Sequence, residues 1–360
     1  MDTFIEAAIK VVAVFALLVL NTLLLVWAER KIVADMQNRI GPNRAGPFGI
    51  LITLADGLKL FLKEHITPRR AELGTYLAAP AMALLPALLI FLVIPIGRPF
   101  HIGDRLITMQ ATDLNVAVLF VLAISSIAVY AIVLAGWSSG SKYPLLAGVR
   151  ATAQAISYET AMALAIVPVI VFASTQAGGE AGTGLMSLSR IVELQSGSFG
   201  GFLPAWFGIA LIPSFAIFAI AGIAETNRAP FDLVEAEQEL VGGFHTEYSS
   251  IRFALFFLAE YINMFNISAI AVILFFGGWN GPTFDSVLPA FVSGLLPVAW
   301  FMIKTWVLLF GFIWIRATLP RLRYDQLMQF GWKRLIPAAL VWLVLFVVVT
   351  GFKSFGAPWS

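Results

Sequence analysis

Cysteine is absent from this 360-residue chain. That excludes disulfides, iron–sulfur ligation and thiolate metal sites within it. Histidine is scarce: His65, His101 and His245 lie far apart and match no metal-ligand spacing, so no metal site is expected. A lone loop histidine is most often just that. Charge is scarce too. Asp, Glu, Lys and Arg together fill 12% of positions, about half the share of an ordinary soluble domain, which excludes that class. The net charge of +2 is unremarkable and gives no ground for a nucleic-acid partner.

What is present is apolar sequence in long runs. Hydrophobic residues make up 59% of the chain, Phe alone fills 30 positions, and the mean hydropathy is +0.88. Runs near 11 to 28, 75 to 97, 114 to 136, 153 to 173, 203 to 224, 254 to 276, 287 to 315 and 335 to 352 lie near the roughly 20 residues a helix needs to cross a bilayer. The bilayer core offers no water to unpaired backbone groups, so each run is expected to be helical. The prediction is an all-α integral membrane protein, one membrane domain over residues 1–360 with about eight transmembrane helices. The first run has only Lys10 before its core and no A-x-A cleavage pattern, so it reads as a permanent span.

Charge placement orients the bundle. Seventeen of the 23 Lys and Arg fall in connections 30 to 74, 137 to 152, 225 to 253 and 316 to 334. Lys10, Arg98, Arg105, Arg190 and Lys353 lie in the opposite set, and Lys304 falls inside the seventh span. The positive-inside rule puts the rich connections in the cytoplasm and both termini outside.

Those connections are not polar linkers. Ile32, Met36 and Ile40 recur at helical spacing, then GPNRAGPFG forces an irregular turn. A second stretch sets Leu54, Leu58, Phe61 and Leu62 against Asp56, Lys59 and Lys63. This amphipathic pair suits the membrane surface, and a plain interfacial anchor is its simplest reading. The segment ETNRAPFDLVEAEQELVGGFHTEY carries six carboxylates (Glu225, Asp232, Glu235, Glu237, Glu239 and Glu247) against one cation, Arg228. Within it Glu235, Glu237 and Glu239 alternate with Ala236 and Gln238, and like charges so close raise one another's pKa. Glu159 and Glu260 lie within apolar runs, where a carboxylate costs about 2.5–3.5 kcal/mol even on lenient scales. Such groups face a partner or a polar cavity. A hydrogen bond to a neighbouring helix is the structural alternative to a proton or ion path.

The combination ERKIVADMQNRIGPNRAGPFG, ADGLKLFLKE, QAISYE, AETNRAPFDLVEAEQELVGGFHTEYS and RATLPRLRYDQLM resembles a membrane-subunit family of bacterial NADH–quinone oxidoreductase, the one whose mitochondrial counterpart is subunit 1 of respiratory complex I. The resemblance spans essentially the whole chain, with five motifs in matched order. One departure is that Ile52 and Thr53 stand where the family often has Gln and Pro, which bears on the angle of the second amphipathic helix.

The resemblance implies a bacterial inner-membrane subunit of a proton-pumping translocase. It contains no redox centre, is inactive alone, and forms much of a chamber for quinone, the substrate. FMN and iron–sulfur clusters belong to partner subunits. The hydrophilic arm would sit on the cytoplasmic loops, and small and antiporter-like membrane subunits would lie laterally in the lipid bilayer. Carried over by motif, Glu29, Arg30, Arg39, Asp56, Lys59, Arg228 and Phe231 match chamber positions. Glu159, Glu225, Asp232, Glu235, Glu237 and Glu260 match the acidic path toward the pumping subunits. No residue is implied in direct redox chemistry, and ubiquinone and menaquinone both fit.

Three other readings compete. A membrane subunit of a hydrogenase or formate-hydrogenlyase complex shares the architecture without needing quinone. A stand-alone transporter would show two related halves with broken helices, and no such repeat is found. An inert anchor leaves Glu159, Glu260 and Lys304 unexplained.

Overall fold

The computed structural model describes residues 2–102, 105–177, 184–199, 203–232, 241–282 and 290–355. In chain order its helices are α1 (Asp2–Met36), α2 (Ile52–Leu62), α3 (Leu73–Leu92), α4 (Ala117–Ser138) and α5 (Lys142–Gln176). Then come α6 (Leu188–Leu194), α7 (Phe207–Ala210), α8 (Ile212–Glu225), α9 (Ser250–Phe275), α10 (Ala290–Thr318), α11 (Tyr324–Phe330) and α12 (Ile336–Phe355). Extended pairing among the described residues is confined to two short antiparallel hairpins, Phe100–Ile102 with Arg105–Ile107 and Ser198–Phe199 with Leu203–Pro204. The protein is an all-α membrane protein.

Seven of the described helices are long and apolar enough to cross a bilayer. The fifth predicted run is the exception. It appears as α7 and the 14-residue α8, broken at Leu211 (φ −117°, ψ 39°). Pro213 sits in the first turn of α8. It has no N–H to donate, which costs nothing in a first turn, so Pro213 suits the start of a new helix after the break. Pro80, Pro86, Pro168 and Pro297 are accommodated inside their helices.

Two boundaries differ from the sequence-based expectation for one reason. At about 1.5 Å per residue, a 35-residue helix is about 52 Å long and overhangs a core of about 30 Å. Both α1 and α5 have that length. The expected separate surface helix through Ile32 and Met36 is the overhang of α1, and residues 142 to 152 form the first turns of α5. The turn after α1 is sharp. Gly49 has φ +77°, and a Cβ there would collide with the Pro42 carbonyl, so only glycine fits. The helix α2 follows with Leu54, Leu58, Phe61 and Leu62 all exposed, an apolar face this chain leaves uncovered.

The core centres on α5 and α9. Helix α5 packs against α4, α8 and α12, while α9 packs against α3, α1 and α10. The loop between α8 and α9 is tied down at both described ends. Gln154, fully buried on α5, donates Nε2 to the carbonyls of Ala224 (2.7 Å) and Phe231 (2.9 Å). At the other end, Tyr76 and Tyr248 stack with centroids 4.2 Å apart, and Tyr76 donates to the Glu247 carbonyl at 2.8 Å.

Lys304 is explained by a helix end. Its ammonium donates to the carbonyls of Phe276 (2.8 Å), Gly278 (3.0 Å) and Asn280 (2.5 Å), just past the last turn of α9. The final carbonyls of a helix lack internal partners and carry the negative end of its dipole. Lys304 supplies the donor that this end lacks.

Candidate functional site

Two features adjoin at the charge-rich end of α1, α8 and α9. The first is a buried ion cluster. Glu29, near the end of α1, is 6% exposed, and Arg228, just past α8, is 4% exposed. The Arg228 Nε lies 2.9 Å from Glu260 on α9, and its Nη1 lies 3.6 Å from Glu29. The guanidinium stacks 4.4 Å above the Tyr261 ring, and the Tyr261 hydroxyl donates to Glu29 at 2.8 Å. Arg316, from α10, pairs with the other Glu29 oxygen. Burial works against the Arg228 charge, but Glu260, Tyr261 and Glu29 outweigh it and raise its pKa further. Charges this deep are retained because each has a partner.

The second feature is a cavity of about 110 Å³ between α4, α5, α8 and α9. Its α5 wall is Ala155, Glu159, Met162 and Ile166, one face at spacings of four, three and four. Glu159 accepts from Ser125 (3.0 Å) and Ser126 (2.5 Å) on α4. Glu225, Glu260, Asn263 and Asn266 reach the same space. Among the described residues, Glu225 Oε2 is buried without a hydrogen-bond partner. One water needs about 10–15 Å³, so several fit, with polar groups to hold them.

The predicted residues therefore separate. Glu29, Arg228 and Glu260 share one cluster, although the motif match groups Glu260 with the acidic path rather than the chamber. Glu159, Glu225 and Glu260 share the cavity. Arg30 pairs with Asp56 at 2.6 Å, tying α1 to α2 at the half-exposed surface. Arg39 is exposed and donates to the nearby Gln37 at 2.7 Å, and Lys59 is exposed on α2, so neither joins the cluster. Phe231 is buried in an aromatic row, 5.5 Å from Tyr158 and 6.5 Å from Phe330. Asp232 lines a wider recess with His245, Arg316 and Arg321. Glu235 and Glu237, with Glu239, lie outside the described residues.

Sequence reasoning missed Tyr261, Arg316, Ser125, Ser126 and Gln154. Tyr261 directly follows Glu260 and Gln154 opens QAISYE, so both stood beside residues already singled out. The two serines carried no signal beyond being polar within an apolar run. Among the described residues, no group of three or more His, Asp or Glu is placed to hold a metal ion.

Long apolar helices around paired buried charges and an acidic cavity are the architecture of a polytopic membrane protein with a polar interior. The NADH dehydrogenase family model matches residues 9–347. The chain belongs to that family, which holds the complex I membrane subunit known in mitochondria as subunit 1. It is accordingly a subunit of an oxidoreductase complex, with other subunits as partners.

Proposed function

We propose that this chain forms much of the quinone-access chamber of a proton-pumping NADH–quinone oxidoreductase and begins the acidic path that couples quinone reduction to proton translocation. The observation that carries the reading is the meeting of cluster and cavity at Glu260. That carboxylate pairs with Arg228 on one side and lines the acidic cavity on the other. Reducing a quinone to a quinol takes up two protons and changes the charge beside this network. Interacting carboxylates respond to such a change as a set. The Arg30–Asp56 pair and the Gly49 turn hold α2 against α1 with its apolar face open, a geometry suited to admitting a lipid-soluble substrate. Arg39, Lys59 and Phe231 would support that chamber, and Asp232, Glu235 and Glu237 would extend the path. FMN and the iron–sulfur clusters reside in partner subunits. The Lys- and Arg-rich connections face the bacterial cytoplasm beneath the hydrophilic arm, and both termini face outward. The complex is the active unit, not this chain alone.

The test is Glu225→Gln and Glu159→Gln in the purified complex in proteoliposomes. Each keeps size and most hydrogen bonding while removing the titratable proton. Expected are joint losses of NADH–quinone turnover and proton translocation, with NADH oxidation by a hydrophilic acceptor preserved. Wild-type rates and proton yield in both variants would defeat the reading.

A further inference from the structure

The acidic cavity and the wider recess share a wall. The recess, of about 670 Å³, is lined by Asp232, Arg316 and Arg321 among others, and His245 and Phe257 line both spaces. Among the described residues, His245 is therefore the one ionisable side chain common to the two. It is held from several sides by aromatic rings: Phe244 (5.0 Å), Phe253 (5.2 Å) and Phe257 (5.7 Å), all edge to face.

Resting on the coupling function proposed above, we infer that His245 is the proton hand-off residue between the recess and the acidic cavity. An imidazole suits the place by its two nitrogens. When neutral, it carries one N–H and one bare nitrogen. A proton arriving on the bare nitrogen from the Asp232 side gives an imidazolium in passing, and release from the other nitrogen into the cavity toward Glu260 or Glu225 restores the neutral ring. One N–H bond forms and one breaks, and no other reactant is needed. A ring flip then resets the tautomer.

Burial lowers the His245 pKa to about 4, with Asp232 opposing, so the ring rests neutral with one nitrogen open to accept. The ionisable groups around it are Glu159 from α5, Glu225 from α8, Glu260 from α9, Asp232 and Tyr248 from its own loop, and Arg316 and Arg321 from the end of α10 and beyond. Helix α4, which also packs on this turn, brings no Asp, Glu, Lys, Arg or His. A carboxylate thus lies on each side of the ring, Asp232 in the recess and Glu159, Glu225 and Glu260 in the cavity.

The experiment compares His245→Ala and His245→Gln with Glu225→Gln in the assembled complex in proteoliposomes. NADH–quinone turnover in both histidine variants should fall by roughly tenfold, less than the roughly hundredfold a positioned proton carrier can contribute, because other steps share control of the rate. Hydrophilic-acceptor activity should be unchanged. Added free imidazole should restore a substantial part of the lost turnover in His245→Ala but not in His245→Gln, where the space is filled. A purely structural histidine would show no such rescue. Wild-type turnover in both histidine variants, or loss without rescue in His245→Ala, overturns the inference. If Glu225→Gln still loses turnover while His245→Gln keeps it, the hand-off alone fails and the acidic path stands. If the alanine variant does not assemble, His245→Gln decides alone: retained assembly with lost turnover supports the hand-off, and full turnover ends it.

Discussion

Helix α9 and the C-terminal helix are built from similar residues and sit in opposite surroundings. The span of α9 has mean hydropathy 1.7 and is 78% buried, whereas the span through α11 and α12 reaches 2.6 and is 11% buried. The more apolar helix is the more exposed one. In a water-soluble protein that order would be reversed, since apolar area is driven inward. Lipid is as apolar as Leu, so nothing drives α12 inward, and the interior is free to collect what lipid will not take. Glu260, Asn263 and Asn266 on α9 are such residues. Asn266 donates to the Ala87 carbonyl on α3 at 2.7 Å.

The largest expected effect comes from breaking the charged interior. Arg228→Ala leaves the buried Glu29 and the half-buried Glu260 without their central cation. Removing one partner of a buried pair costs about 3–5 kcal/mol, so assembled complex on native gels should fall sharply. Normal assembly with only a change in turnover would mean that Arg316 and Tyr261 suffice to hold Glu29. Next is Lys304→Met, which orphans the three carbonyls past the end of α9. Bonds to a charged donor contribute about 1.5–3 kcal/mol, and thermal inactivation of the complex should shift downward correspondingly. An unshifted profile would mean that the freed carbonyls find other donors.

The comparison itself is sharpened by a matched pair of truncations. Phe265, fully buried on α9 beside Phe91, should cost roughly 2 kcal/mol on replacement by Ala. That is below the roughly 3–5 kcal/mol of a soluble core, because lipid solvates the ring in the unassembled state and only the cavity and packing loss remain. Val344→Ala on the exposed face of α12 should stay within about 0.5 kcal/mol. A larger effect at Val344 would show that a neighbouring subunit, rather than lipid, covers that face.

A pH effect is expected as well. His245 has its pKa lowered to about 4 from 6.5, so the unfolded chain binds its proton more readily than the folded one. Its contribution is fully present above pH 6.5 and is lost as pH falls toward 4. The complex should lose stability over that window, and His245→Gln should flatten the loss. An unaltered acid profile in the variant would place the sensitivity elsewhere.

The sequence by itself determined the membrane class, seven of the eight runs as long helices, the surface helix α2 and the special turn before it. Each is a local property: hydropathy over about twenty residues, a period of about 3.6 residues, glycine and proline at fixed places. It also picked out Glu159, Glu260 and Lys304 as out of place, since an ionisable residue in an apolar run is conspicuous without a structure. The split of the fifth run was readable in principle from Pro213, but proline inside a membrane helix is often tolerated, as Pro168 is in α5. Only the tertiary structure decided who meets whom. Tyr261 and Glu29 are 232 positions apart, and Arg316 and Glu29 are 287 apart. Lys304 caps a helix end rather than joining the acids. The same holds for His245, unremarkable in a loop until two cavities close on either side of it. Periodicity records which face of a helix is apolar, but the partner of a buried charge is chosen by packing across the whole chain, and that choice leaves no trace in the residues nearby.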